Sequence, residues 1–183
     1  MKILVAGFGN VLREDDAFGI RLLERLRVRQ EAWQGVRFFE AGIGGINFVQ
    51  ELQDHFDAVV VLDALEGEEN DIPGTVRVLE AEVFDPRSLT VMQSRDALAD
   101  IHYAEPGRAM ALAKALECLP AKSYIVGCVA ARCEMGLELT PQVGAAVENA
   151  EARAVELIEG LLNAECFVPN VTRVQTALEK EVV

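Results

Sequence analysis

Apolar residues follow two spacings in the first third of the chain. Short continuous apolar runs predict buried strands, and apolar residues three or four positions apart predict helices with one buried face. The strands are predicted at Lys2–Gly7, Val36–Glu40 and Ala58–Asp63, with helices at Asp16–Arg29 and from Ile46 to Leu52. This β-α-β-α-β order indicates a parallel sheet with right-handed crossovers.

The second half of the chain continues the alternation after a weakly patterned stretch. Turn residues at 71–74 precede a roughly alternating run at Thr75–Glu80 that suits an edge strand, and residues 81–104 predict a long loop. A helix from Pro106 to about Cys118, a strand at Ser123–Val129 and a long helix after Thr140-Pro141 follow. The pattern therefore predicts one α/β domain, a three-layer sandwich in which helices flank a mostly parallel, twisted sheet.

The charge balance argues against nucleic acid as a partner. The chain of 183 residues has 17 Lys and Arg against 30 Asp and Glu, a formal net charge of −13. Binding to a phosphate backbone relies on clustered positive charge. No apolar run reaches the roughly 18 residues of a transmembrane helix, and the N-terminal run is too short for a signal-peptide core. We therefore expect no membrane association and a cytoplasmic protein.

The segment GFGNVLREDDAFG, Gly7 to Gly19, contains half of a dinucleotide-binding motif. Its first two glycines follow a strand, and Glu40 closes the next strand, where it is placed to hold a ribose. However, Leu12 occupies the position of the third glycine. Asp15 and Asp16 lie where a pyrophosphate would meet the helix N-terminus, and their charge would repel it. The segment is a poor phosphate cradle.

The same segment fits a cation site better. Ligands of open α/β sheets bind beyond the carboxyl ends of the strands, where Asp16 and Asp63 are predicted, and His102 lies on a loop that can reach this edge. Two carboxylates and an imidazole suit Ni, Zn, Mn or Fe(II). Structural roles remain open for each residue: Asp15 and Asp16 can complement a helix dipole, Asp63 can cap a turn, and a lone histidine on a loop is often solvent-exposed.

Other chemistries have little support in the sequence. The HExxH, GxSxG and GxxxxGK[ST] motifs are all absent. The four cysteines show no CxxC spacing, so we expect reduced thiols, with Cys128 buried in the late strand. His55 lies in the polar run QDHFD and is interpreted as a surface residue.

Several segments together resemble the nickel–iron hydrogenase maturation endopeptidases. GFGNVLREDDAFG resembles the family's first block, AGIGGINFVQEL its second and VVLDALEGEENDIPGTV its third. His102, the helix that follows it and the ELTPQV helix start also fit the family. The resemblance covers roughly residues 1–162. It implies a phosphorylase/hydrolase-like protease domain at 1–163 and leaves 164–183 as a tail of undetermined structure.

The resemblance implies an endopeptidase that removes a C-terminal extension from a hydrogenase large-subunit precursor after nickel insertion. The family's metal-binding residues map onto Asp16, Asp63 and His102, which we expect to form the catalytic site. The nickel is expected to be carried by the precursor. We expect Asn10 and the glycines Gly42, Gly44 and Gly45 to position the substrate chain, and the enzyme to be a monomer. The alternative is a non-catalytic metal-delivery or dinucleotide-binding module.

Three positions depart from the family's usual pattern. Asp16 stands where glutamate is frequent, which keeps the charge but shortens the side chain by one methylene. Ala17 replaces a usual glycine, and Glu40-Ala41-Gly42 stands where an Asp-Gly-Gly turn is common.

Overall fold

The computed structural model describes residues 1–84, 105–163 and 171–175. The strands are β1 (Ile3–Phe8), β2 (Val36–Gly42), β3 (Ala58–Leu65), β4 (Val76–Glu82), β5 (Lys122–Val129) and β6 (Thr172–Gln175). The helices are α1 (Phe18–Arg27), α2 (Gly45–Leu52), α3 (Pro106–Ala115) and α4 (Pro141–Asn163), and a short 3-10 helix (Glu14–Ala17) precedes α1.

The six described strands form one mostly parallel sheet in the order β2-β1-β3-β5-β4-β6. β1 pairs in parallel with β2 and β3, and β3 pairs in parallel with β5. β4 runs antiparallel to β5. The predicted fold class, an α/β sandwich with a mostly parallel sheet, is confirmed.

Helices cover both faces of the sheet because residues along each strand alternate between them. Ile3 and Val5 pack with α1 and α4, whereas Leu4, Ala6 and Phe8 pack with α2 and α3. Most apolar positions that the sequence placed on helix faces lie in these cores, but Ile46, the first apolar position predicted for α2, is exposed. Among the described residues, no helix combines the length and the apolar character needed to cross a membrane.

The expected edge position of β4 is wrong. β6 pairs in parallel with β4 from Leu79↔Thr172 to Glu82↔Gln175, so β6 forms this edge of the described sheet. Arg173 also contacts the carboxylate of Glu80, with Nε 3.1 Å from Oε2. Part of the predicted tail is therefore a sheet element, whereas residues 164–170 and 176–183 lie outside the described residues.

The first helix begins later than predicted, because the chain first makes a 3-10 turn at Glu14–Ala17. Ala17, one of the expected departures from the family pattern, has a φ of −73°, which any residue can adopt. Gly19 follows in the first turn of α1. A Cβ atom there would lie 2.2 Å from the Leu62 carbonyl oxygen and 2.5 Å from that of Phe8. Only glycine lets α1 approach the ends of β1 and β3 this closely.

Gly19→Ala is therefore expected to lower the free energy of unfolding by about 1–3 kcal/mol, the usual cost of overpacking. Urea unfolding monitored by circular dichroism measures the change.

The matched control is Gly144→Ala in α4. A Cβ atom at Gly144 would meet only the Leu139 Cβ, at 4.0 Å. Helix propensity then favours alanine by up to about 1 kcal/mol. Equal stability of the Gly19→Ala and wild-type proteins would contradict the close approach of α1 to the sheet.

Candidate active site at the carboxyl edge of the sheet

Asp63 lies within β3, directly after the last residue of β3 that pairs with β1. The pairing of β1 with β3 stops at Gly7↔Leu62, whereas β3 continues beside β5 with Asp63 opposite Gly127. The sequence placed Asp63 at the end of the strand, but β3 extends to Leu65. Asp63 therefore lies on a strand that is still paired with β5 but no longer with β1, at the carboxyl edge of the sheet.

Asp16 reaches the same edge from the loop after β1. Gly9 has a φ of +117°, and a Cβ atom there would lie 1.7 Å from the Asp16 carbonyl oxygen. The backbone N–H of Asn10 donates to Oδ2 of Asp16 over 3.2 Å. The segment after β1 thus folds back on itself and fixes the main chain of Asp16.

The two carboxyl groups interact electrostatically. Burial raises the pKa of Asp63 well above its ordinary value, and the negative charge of Asp16 raises it further. A smaller increase comes from Glu105, and a hydrogen bond with the backbone of Ala64 acts in the opposite direction. The structure therefore brings two of the three predicted ligands, Asp16 and Asp63, near enough for the charge of one to affect the other.

The third predicted ligand, His102, lies outside the described residues. Within residues 1–84, 105–163 and 171–175, no three His, Cys, Asp or Glu side chains form a group able to hold a metal ion. The three-residue site therefore stays a prediction. His55 is exposed, as expected.

The residues predicted to position substrate line the neighbouring loops. Oδ1 of Asn10 accepts a hydrogen bond from the Leu12 N–H over 3.0 Å, so this side chain shapes the loop after β1. The N–H of Gly9 donates to the Gly42 carbonyl over 3.0 Å, which joins this loop to the end of β2. Gly44 precedes α2, and Gly45 is its first residue. Their role towards substrate remains a prediction.

A contact that the sequence did not predict joins the loop after β1 to the loop after β5. Asp15 is fully buried, and its carboxylate accepts hydrogen bonds from Ala131, Arg132 and Thr140. Glu14 forms a two-bond ion pair with the Arg132 guanidinium at 2.7 Å, and this contact lowers the pKa of Glu14. The sequence allowed Asp15 to complement the dipole of α1. Its carboxylate instead binds the segment that leads into α4.

The cysteines differ in their relation to this edge. Cys128 is buried in β5, and burial raises the pKa of its thiol to about 11, which confirms the expected inert thiol. Cys118 is also buried. Cys133, on the loop after β5, is partly exposed; burial and then the charges of Asp16 and Asp15 raise its thiol pKa.

The geometry argues against a phosphate at this edge. The Asn10 N–H, one of the backbone donors that a phosphate would need, is already bonded to the Asp16 carboxylate. Leu12, at the position of the third motif glycine, is half exposed on the loop surface. The dinucleotide interpretation is not supported.

The fold and its polar carboxyl edge define an α/β protein of the hydrolase-like class, and comparison with known proteins identifies the family. The family described as HycI, hydrogenase maturation protease, matches residues 20–157, well over half of the chain. The chain therefore belongs to the hydrogenase maturation protease family. The matched range contains Asp63 and His102 and begins four positions after Asp16.

Individual relatives agree with this assignment. The chain is 29% identical over 152 residues to a hydrogenase 2 maturation protease of Escherichia coli, covering 82% of this chain and 86% of the relative. It is 31% identical over 158 residues to the hydrogenase expression/formation protein HupM of Azotobacter chroococcum, covering 86% and 71%. The solved structure of the E. coli hydrogenase maturating endopeptidase HybD superposes with a TM-score of 0.65 at 26% identity, covering 87% and 93%.

Asp63→Asn is expected to stabilise the protein at neutral pH. The pKa of Asp63 is raised by folding, so above about pH 4 the folded state holds this proton more tightly than the unfolded chain does. Wild-type stability is lost as the pH rises through the folded-state pKa, and asparagine removes that loss. The stability difference should disappear below about pH 4. Urea unfolding across the pH range, with a chelator present, measures it.

Glu156→Gln provides the control, because it removes one exposed carboxylate from α4. It reports the background effect of reducing the charge of an acidic chain. If the stability gained by Asp63→Asn does not vary with pH, or equals that of the control, the raised pKa of Asp63 is contradicted.

Proposed function

We propose that this protein is the endopeptidase that removes the C-terminal extension of a nickel–iron hydrogenase large-subunit precursor after nickel insertion. The observation that carries the proposal is the Asp16–Asp63 pair at the carboxyl edge of a hydrogenase maturation protease fold, with Asp16 in the turn after β1 and Asp63 on β3. We further propose that the enzyme acts as a cytoplasmic monomer. A metal-delivery or dinucleotide-binding module is not favoured by the family assignment.

The pair fits a divalent cation that arrives with the substrate. The negative charge of Asp16 favours the protonated form of Asp63, and a bound cation would relieve this repulsion. The charge on Asp16 already contributes to the raised pKa of Asp63. A cation and a proton therefore compete for Asp63, so binding should strengthen as the pH rises.

His102 is proposed as the third ligand. Glu105, at the start of α3, is close enough to Asp63 for its charge to raise the pKa of that carboxyl group. His102 precedes Glu105 by three residues, a separation that an extended chain covers in at most about 11 Å. The chain connection thus supports a contribution from His102 at the same edge.

The hydrolysis adds water to the scissile carbonyl carbon and breaks its bond to nitrogen, and a proton passes to the leaving amine. A divalent cation at the pair would supply Lewis-acid polarisation of the carbonyl or activation of water. In this proposal Asp16 and Asp63 bind the cation carried by the precursor, and the loop glycines align the chain to be cut. Holding the reacting groups in register is itself a large part of catalysis.

The surface around the pair suits a protein substrate. Large apolar side chains are exposed on the loops at the carboxyl edge and in the first turn of α2: Val11, Leu12, Ile43, Ile46, Met135 and Leu137. The backbone links Gly9–Gly42 and Leu12–Gly136, each 3.0 Å, make these loops adjacent. A precursor whose nickel reaches Asp16 must cover this rim, and burial of the apolar side chains then favours binding.

Asp16→Ala is expected to reduce the rate of precursor cleavage at least about 100-fold, because it removes a ligand from the proposed site. His102→Ala should have a similar effect. The assay is intact mass spectrometry of a nickel-loaded precursor, which reports loss of the C-terminal peptide.

Glu156→Ala is the control, since it also removes a carboxylate from the surface but lies on α4. It should cleave at the wild-type rate. Wild-type cleavage by folded Asp16→Ala protein would show that the site assignment is wrong.

Replacing Met135 and Leu137 together by serine should lower kcat/KM about ten-fold or more, mainly through KM, if the precursor buries these side chains. Val28→Ser is the matched control: Val28 is 81% exposed, as Met135 is, but it follows α1 at the opposite edge of the sheet. Steady-state cleavage kinetics separate kcat from KM. Equal kcat/KM values for the double variant and the control would exclude this rim from the interface.

A further inference from the structure

We propose that Asp15 and Thr140 form a positioning contact that fixes Asp16 for the reaction; this inference rests on the proposed function. Asp15 is buried with an exposure of 0%, and Thr140 with 8%. Oδ1 of Asp15 accepts from the Thr140 N–H over 2.7 Å. Oδ2 accepts from the Thr140 hydroxyl over 2.8 Å, the Ala131 N–H over 2.9 Å and the Arg132 N–H over 3.1 Å.

These bonds explain how a buried carboxylate is tolerated. An ionised carboxylate away from water is costly unless hydrogen bonds replace its hydration. Four donors converge on the two oxygens, and three of them are backbone N–H groups, whose positions are set by the chain itself. The contact is also located at the start of α4, where the helix dipole favours negative charge. Asp15 is therefore held in one orientation.

The contact ties together two loops that are far apart in the sequence. Asp15 and Thr140 are separated by 125 positions. Beside them, the N–H of Glu14 donates to the Gly136 carbonyl, and the N–H of Gly136 donates to the Leu12 carbonyl, each over 3.0 Å. The loop after β1 is thus fastened to the loop that precedes α4.

Asp16 is constrained from both sides as a result. On one side its main chain follows Asp15 directly. On the other side, the Asp16 carbonyl oxygen occupies the space that a Cβ atom of residue 9 would need, so the backbone of Gly9 packs directly against it. The carboxylate itself is held by the Asn10 N–H, which donates to its Oδ2 over 3.2 Å.

Asp15 lies in the 3-10 turn and Thr140 directly before α4, so neither belongs to the strands and helices that form the two cores. Weakening the contact should therefore loosen the loop that carries Asp16 more than it disturbs the packed fold. A small misplacement of a reacting group can lower a rate by about 100-fold even when binding persists. The inference is that the contact acts on the rate of cleavage and has little effect on the affinity for the precursor.

The test compares Thr140→Val, which removes the hydroxyl and keeps the shape, with Thr140→Ser, which keeps the hydroxyl. With nickel-loaded precursor, Thr140→Val should lower kcat about ten-fold with KM changed less than about two-fold. Thr140→Ser should restore kcat to within about two-fold of wild type. Thr140→Ala removes the same hydroxyl and replaces the valine variant should that variant not fold.

Ser123→Ala is the matched control for stability. Ser123 is buried, and its hydroxyl donates to the Pro120 carbonyl over 2.7 Å at the opposite end of β5. Loss of the Ser123 hydroxyl should lower the free energy of unfolding about as much as Thr140→Val does, but leave kcat per folded molecule unchanged. If Thr140→Val also keeps the wild-type kcat per folded molecule, the positioning role is wrong. Failure of the wild-type protein to cleave would instead overturn the proposed function.

Discussion

The placement of two carboxyl groups, Asp16 and Asp63, at the same edge of the sheet is the constraint around which that edge is organised. Like charges would separate if their segments were free; burial and then the charge of Asp16 raise the pKa of Asp63. The fold prevents this separation with close backbone contacts at Gly9 and Gly19, which carry no side chain to block them.

Most of the fold could be predicted because its elements have strong local patterns. Continuous apolar runs marked the inner strands, and the long helix after Thr140 was marked by both its cap and its apolar spacing. β4 was misplaced at the edge because its partner, β6, is the four-residue segment TRVQ, which has no recognisable alternation. A short strand of this kind is determined by its docking onto the sheet and not by its own sequence.

The site was only partly predictable. Asp16 and Asp63 could be placed from the rule that ligands meet the carboxyl ends of parallel strands. The different environments of Asp15 and Asp16 could not be predicted, because two adjacent acids look alike in sequence and only the tertiary structure buries one of them. The loop that receives Asp15 begins at Ala130, more than a hundred positions away, and no local pattern reports a contact of that range. The position of His102 rests on the sequence alone.

The central proposal is that the site acts on a precursor that already carries nickel. The direct measurement is intact-mass analysis of the wild-type protein mixed with the same precursor in nickel-loaded and nickel-free forms. We predict that a short C-terminal peptide is lost from the nickel-loaded form only. Cleavage of both forms at the same rate, or of neither, would contradict it.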